Sequence, residues 1–353
     1  MCICQSEIPT GEDTAQRLLD YLNGAAASLM ISVGHRTRLF DTMADLPPTT
    51  SGEIAEAAGL NERYVREWLS SMVTARLVQY FPENRTFHLA PSAAALLTRR
   101  SSPNNMAATA QFIPILGGVE SEIVECFARG GGVDYASYQR FHQVMAEESS
   151  QTVVSGLLSA IIPLVPGLEK RLQSGIQVLD VGCGSGKALR TLAQQFPASR
   201  FVGYDLCPEA LTVARQEAVG LTNLSFEVAD ASAMNVQGQF DLVVAFDSIH
   251  DQAHPDRVLR GIRRGLREEG VFLMQDIRSS SRLENNLDHP MGTFLYTISC
   301  LHCMSVSLAQ GGMGLGAAWG EELAIQMLRE AGFGSVEVSQ LEHDSLNSYY
   351  VCS

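Results

Sequence analysis

The chain has 353 residues, with 39 acidic against 25 basic side chains and a formal net charge of −14. That length accommodates two domains, and 46% hydrophobic with 18% charged residues excludes a disordered or fibrous chain. The acidic balance disfavours a nucleic-acid partner, and no run approaches the roughly 18 uncharged apolar residues of a membrane span. The opening MCICQSEIPTGEDTA lacks a charged region followed by a long apolar core, so no signal peptide is expected. Eight cysteines without framework spacing point to free thiols in a reducing cytoplasm.

Residues 14–45 read as helices. Leu18, Leu19, Leu22, Ala25, Ala26, Leu29 and Val33 recur at helical spacing, and Pro47-Pro48 ends the pattern. Ser51 is the expected N-cap of a short helix closed by Gly59. Asn61 caps a second helix carrying Val65, Trp68, Leu69 and Met72, and two strands around 77–81 and 86–89 follow. Helix, turn, helix and hairpin make a winged helix. Residues 1–100 hold nine Arg and eleven Asp or Glu, so this is read as a dimerisation module, not a DNA reader.

Residues 101–170 form a helical connector with a glycine loop at 130–132. In its second half Phe141, Met145 and Ser149 share one helical face. From 171 to 353, strands alternate with helices, which implies a mostly parallel sheet covered on both faces. The segment 278–320 is too long for a simple connection. Its helical middle, Pro290 to Ala309, is expected to wall a substrate, and the glycine-rich stretch 311–320 reads as a flexible loop. Within it, Cys300-Leu301-His302-Cys303 invites a metal together with Cys2 and Cys4. A packed helix is preferred and no metal is expected. His302 reads as a satisfied core histidine, with the acceptor as its other possible neighbour. Met304 and Trp319 suit pocket wall or core equally.

The chemistry concentrates between Gly175 and Asp205. An apolar strand ends in Asp180-Val181-Gly182-Cys183-Gly184-Ser185-Gly186, a helix follows, and a second strand ends on Asp205. Asp205 lies nineteen positions after Gly186, the place of a ribose-binding acid. The spacing is GxGxG after an acid, whereas a dinucleotide fingerprint is GxGxxG with pyrophosphate on the helix N-terminus. An acid beside the loop repels pyrophosphate and suits a cation.

These residues resemble motif I of class I S-adenosylmethionine-dependent methyltransferases. The order of elements is similar to plant-type small-molecule O-methyltransferases and to a bacterial winged-helix branch of methyltransferases. The resemblance implies an α/β chain: a Rossmann-like class I methyltransferase domain with a mostly parallel seven-stranded sheet, preceded by an α-rich winged-helix domain. It implies S-adenosyl-L-methionine as cofactor, held by Asp180, Gly182, Gly184 and Gly186, by Asp205 and Leu206 at the ribose and adenine edge, and by Asp230 and Ala231 near the adenine amino group. Phe141, Met145 and Ser149 match the covering helix. Phe246 joins the set at the fourth strand's end, where those enzymes usually have a lysine.

In that family a His-Asp pair after the fourth strand supplies the general base, and His250-Asp251 stands at the matching point. An imidazole there titrates near neutrality, as a base must. Asp276 or Asp247 is the candidate to orient it. The family signature continues with tryptophan, whereas this chain has Gln252. The expectation is methyl transfer to a small, apolar acceptor, with oxygen the favoured atom, by a homodimer joined through the N-terminal domain. The alternatives are a winged-helix transcriptional regulator that senses the cofactor, and a catalytically silent binder.

Overall fold

The computed structural model describes residues 11–353. Packing divides the chain into one unit ending at Gly117 and a second, Gly118–Ser353. The expected connector is therefore split: its first part belongs to the N-terminal unit and the rest to the second.

The first unit contains α1 (Gly11–Arg36), α2 (Leu39–Ala44), α3 (Ser51–Ala58), α4 (Glu62–Thr74), the hairpin β1 (Gln79–Phe81) and β2 (Thr86–His88), and α5 (Pro91–Leu97), α6 (Met106–Thr109) and α7 (Phe112–Gly117). Phe40, Ile54, Val65, Trp68, Leu69 and Met72 form its core. Gly34 is required there, because a Cβ would lie 2.5 Å from the Trp68 ring. The cap of α3 is Thr50, not Ser51: Thr50 and Glu53 bond reciprocally in a capping box. The apolar stripe of α1 does not enter this core. Leu18, Leu19 and Leu22 stay more than half exposed, and Leu29 and Val33 are exposed too.

In the second unit come α8 (Glu120–Arg129), α9 (Phe141–Ser149), α10 (Leu168–Ser174), β3 (Gln177–Val181), α11 (Lys187–Gln195), β4 (Arg200–Asp205), α12 (Pro208–Glu217), β5 (Leu224–Val228) and β6 (Phe240–Phe246). Then follow α13 (Pro255–Gly265), β7 (Leu266–Ile277), α14 (Gly292–Ile298), α15 (Met304–Ala309), α16 (Gly320–Glu330), β8 (Val336–Leu341) and β9 (Asp344–Cys352). The seven strands run in the order β5-β4-β3-β6-β7-β9-β8, parallel except at β9.

Side-chain alternation fills both faces of this sheet. Val178, Leu242, Val244 and Leu273 pack with Leu189, Leu192 and Leu211 of α11 and α12. Leu179, Val243, Ala245 and Phe272 pack with Val258, Leu259 and Leu328 of α13 and α16. The chain leaves β3 toward β4 on one side and reaches β6 on the other, so the sheet changes direction at β3. Ligands of open α/β sheets bind in the crevice that such a reversal opens.

The insertion after β7 is better anchored than its glycines suggest. The Met313 N–H donates to the Ala253 carbonyl, the Gly314 N–H to Ser307 Oγ, and the Glu321 N–H to the Ser279 carbonyl. The helical run Gly292–Ala309 has the length and mean hydropathy, 1.3, of a membrane span. Its polar side chains are nevertheless used inside the fold: Ser305 Oγ accepts the Val133 N–H and Ser307 Oγ donates to the Gln252 carbonyl.

Candidate active site

A cavity of about 790 Å³ opens at the carboxyl ends of β3, β4 and β6. Its floor is the glycine loop. Gly184 has φ +53°, and a Cβ there would meet no atom within 4 Å, so its backbone stands open to a ligand. Gly186 also has positive φ but serves packing. Its missing side chain makes room for Phe226, whose ring carbons lie 2.5 Å from where a Cβ would be.

Four of the loop's backbone donors are spent inside the protein. The Gly182 and Cys183 N–H groups donate to the Tyr204 carbonyl, Gly186 N–H donates to the Cys183 carbonyl, and Gly184 N–H donates to Asp205 Oδ2 at 2.8 Å. A pyrophosphate site needs such donors free and aimed at the ligand. Acceptors, by contrast, remain available. Asp205 also takes the Cys207 N–H on Oδ1, and each carboxylate oxygen keeps a further lone pair for a hydroxyl. Asp180 is buried at the cavity with no partner for Oδ1. Burial, aided by the Asp205 charge, pushes its pKa up to about 8. A positively charged group placed there would relieve both the orphaned oxygen and the suppressed ionisation.

Most expected contacts fall together. Phe141, Met145, Ser149, Asp180, Gly182, Gly184, Asp205, Leu206, Ala231 and Phe246 all border the cavity. Two of the set do not. Gly186 faces Phe226 and Ala214. Asp230 is exposed, and its carboxylate caps the Ser232 N–H, so it serves its own turn.

His250 is only 3% exposed and stands outside the residues bordering the cavity, whereas its neighbours Asp247 and Asp251 lie among them. Its ring is held by Asp276: Nδ1 lies 2.9 Å from Oδ1, with Asp247 Oδ1 at 3.7 Å. The same Asp276 oxygen takes the Trp319 indole N–H and the Ile277 N–H, so it acts as an acceptor and Nδ1 carries the proton. Burial opposes the charged imidazole, but the Asp276 carboxylate and Cys303 together outweigh it and hold the pKa well above the usual histidine value. Burial also raises Asp251, to about 7, with help from Asp247 and against the pull of His250. Asp247 has a left-handed backbone, φ +54°, and no hydrogen-bond partner for Oδ1. Asp247, His250 and Asp276 offer three donor atoms within 4.8 Å of one another, an arrangement the His250–Asp276 ion pair accounts for.

The insertion supplies one wall through Val306, Ala309 and Gln310, while Met304 and Trp319 are not part of it. His302 is a buried aromatic partner, not a hydrogen-bonded core histidine. It stacks on Phe141 at 3.6 Å, edges Tyr138 at 4.7 Å, and neither ring nitrogen has a hydrogen-bond partner among the described residues. Cys303, beside it, is buried as well. Cys2 and Cys4, the other half of the metal reading, lie outside the described residues.

Sequence reading gave no role to Tyr135, His142 and Lys187, which also line the cavity. Tyr135 and His142 stack at 4.8 Å. Their position just before and at the start of the covering helix was the available signal.

Comparison with known proteins agrees with this geometry. Residues 25–99 match the family model described as an Rv2258c-like winged HTH domain, and residues 172–332 match a methyltransferase domain. The release factor glutamine methyltransferase of Koribacter versatilis is 36% identical over 109 residues, 30% of this chain and 37% of that protein. The chain thus spans well under half the length of the curated relatives it matches. Among solved structures, mitomycin 7-O-methyltransferase MmcR matches with a TM-score of 0.69 at 16% identity, over 96% of this chain and 97% of that one. Human N-acetylserotonin methyltransferase, solved with S-adenosylmethionine, matches with a TM-score of 0.67 at 17% identity, over 98% and 99%. The occupied loop amides, the orphaned Asp180 oxygen and the ribose-ready Asp205 fit S-adenosyl-L-methionine, and the chain carries a winged helix-turn-helix domain of the Rv2258c-like type followed by a methyltransferase domain.

Proposed function

We propose that the protein transfers a methyl group from S-adenosyl-L-methionine to a small-molecule acceptor, with oxygen the favoured target. One observation carries this reading: a glycine loop in which the Gly182, Cys183, Gly184 and Gly186 amides are occupied by protein oxygens, beside a buried carboxyl with one unpartnered oxygen. Asp180 would receive the ammonium, Asp205 the ribose hydroxyls, and Leu206 and Ala231 the adenine edge. When bound, the cofactor supplies an electrophilic methyl on a sulfonium. The chain's own part is to orient the acceptor, exclude water and take up the acceptor's proton.

His250 is our candidate for that base, because the Asp276 carboxylate stabilises the imidazolium that proton capture creates. A second reading assigns the proton to Asp251, since Asp251 borders the cavity and His250 does not. The two differ in pH dependence. A base must be deprotonated to act. With its pKa held up by Asp276, His250 gives a rate that develops on the alkaline side, whereas Asp251 gives a rate rising through about pH 7. Asp134, Asp247 and Asp251 border the cavity and outnumber Arg140 there, so a neutral or cationic acceptor suits it better than an anion.

The test is methyl transfer from labelled cofactor to a metabolite panel, followed by pH–rate profiles of wild type, His250→Ala and Asp251→Asn. Turnover of a neutral or cationic small molecule, slowed about 100-fold or more by His250→Ala at unchanged cofactor affinity, is the expected result. Equal turnover by His250→Ala dismisses that base, and an unlabelled panel with labelled protein or nucleic acid dismisses the acceptor class.

For the N-terminal unit we propose homodimerisation, supported by the exposed apolar stripe of α1. A regulator that reads DNA is disfavoured because the arginines of α4 are committed: Arg63 pairs with Glu67, and Arg66 with Glu62 at 3.5 Å. The thiols of Cys126, Cys183, Cys207, Cys300, Cys303 and Cys352 are free, which supports a cytoplasmic site of action.

A further inference from the structure

Lys187 is one of two lysines in the chain and the first residue of α11. An ammonium at a helix N-terminus faces the positive end of the macrodipole, an adverse place for it. It also borders a cavity read here as a site for a cationic ligand, where a loose ammonium would repel that ligand. The structure resolves both problems by sending the side chain away from its own helix. Nζ donates to the Ala146 carbonyl at 2.9 Å and to Ser150 Oγ at 2.9 Å. Ala146 lies in the last α-helical turn of α9, its carbonyl also accepts the Ser150 hydroxyl at 2.6 Å, and the chain runs on from Ser150 in a wider helical turn.

The anchored helix is the one that covers the cavity, presenting Phe141, Met145 and Ser149. Its continuation is irregular. Ser150–Val154 and Leu157–Ile161 are π-helical, a conformation with poorer packing that tends to sit at functional sites. A second tie, His343 Nε2 to the Thr152 carbonyl at 3.0 Å, holds this wide stretch from the other side. The continuation of the covering helix is therefore held by side chains reaching in from elsewhere as well as by its own turns.

We propose that Lys187 is a positioning residue that latches the covering helix to the glycine loop, and so sets how tightly S-adenosylmethionine is retained. This rests on the cofactor assignment above. Opening the compartment then requires breaking two charge-assisted hydrogen bonds, which slows release without touching the acceptor or its proton.

Lys187→Met keeps the stem and removes the ammonium. Calorimetry with S-adenosylmethionine should show Kd about tenfold weaker, with KM for the cofactor rising in parallel and kcat falling much less. Hydrogen exchange of residues 141–154 should quicken in the cofactor-free protein. Lys187→Arg, which can reach the same two oxygens, should recover binding to within about threefold. Wild-type Kd in Lys187→Met overturns the latch, as does weakened binding without faster exchange in 141–154. Failure of the wild-type protein to bind S-adenosylmethionine at all overturns the cofactor assignment instead, so the two outcomes are distinct.

Discussion

A carboxyl placed at the end of β3, out of water and with one oxygen unbonded, works against folding. Asp180 would titrate near 3.8 when exposed and near 8 in the fold. Between those values the unfolded chain gives up the proton while the folded chain keeps it, so this group lowers stability progressively from about pH 4 to about pH 8. Asp180→Asn should therefore raise the cofactor-free melting temperature at pH 8 by about 2–4 °C for each kcal/mol recovered, with little gain at pH 4. The same change should weaken S-adenosylmethionine binding. Thermal scans at the two pH values check it; an equal shift at both would remove ionisation of Asp180 as the cause. The carboxylates at 180 and 205 were legible because strand, glycine loop and acid stand at fixed spacing. Asp251 as a cavity residue and Lys187 as a latch were not. Which of two adjacent side chains, His250 or Asp251, turns toward a cavity depends on the path of the chain after β6, and a lysine's reach depends on a helix 41 residues earlier.

Strands and helices followed their periodicities where one face is buried by the chain itself. The alternation in β3, β6 and β7 assigns residues to two cores cleanly, because a strand's side chains reverse at each step. Caps were less legible: Thr50 and Ser51 are both good N-caps, and only the bond from Glu53 back to Thr50 decides between them. The stripe on α1 follows helical spacing just as well, yet it finds no core among the described residues. Leu18 and Leu22 lie one turn apart on it, each more than half exposed. A second copy of the chain covering that stripe is the expectation. Leu18→Glu with Leu22→Glu should convert a dimer to a monomer in light scattering while leaving the helical circular dichroism unchanged. A wild-type monomer, or a variant that stays dimeric, removes α1 as the interface.

At the scale of the whole chain, two family matches and a seven-stranded sheet fix the architecture, and the loop chemistry narrows the ligand. The boundary between the units, at Gly117, was not legible, because short helices run up to it and on from it and the marked glycine loop, 130–132, lies further along the chain. The acceptor was not legible either, since its walls come from α15, the 134–142 segment and the turn after β6, far apart in sequence. What unites the account is that the crevice at β3 offers acceptors and few amide donors. Isothermal titration of the cofactor-free protein with S-adenosylmethionine and, separately, with NAD addresses this directly. The account predicts saturable binding of S-adenosylmethionine, weakened at least about tenfold by Asp205→Ala, and no binding of NAD. Saturable NAD binding, with S-adenosylmethionine giving no heat, would contradict it.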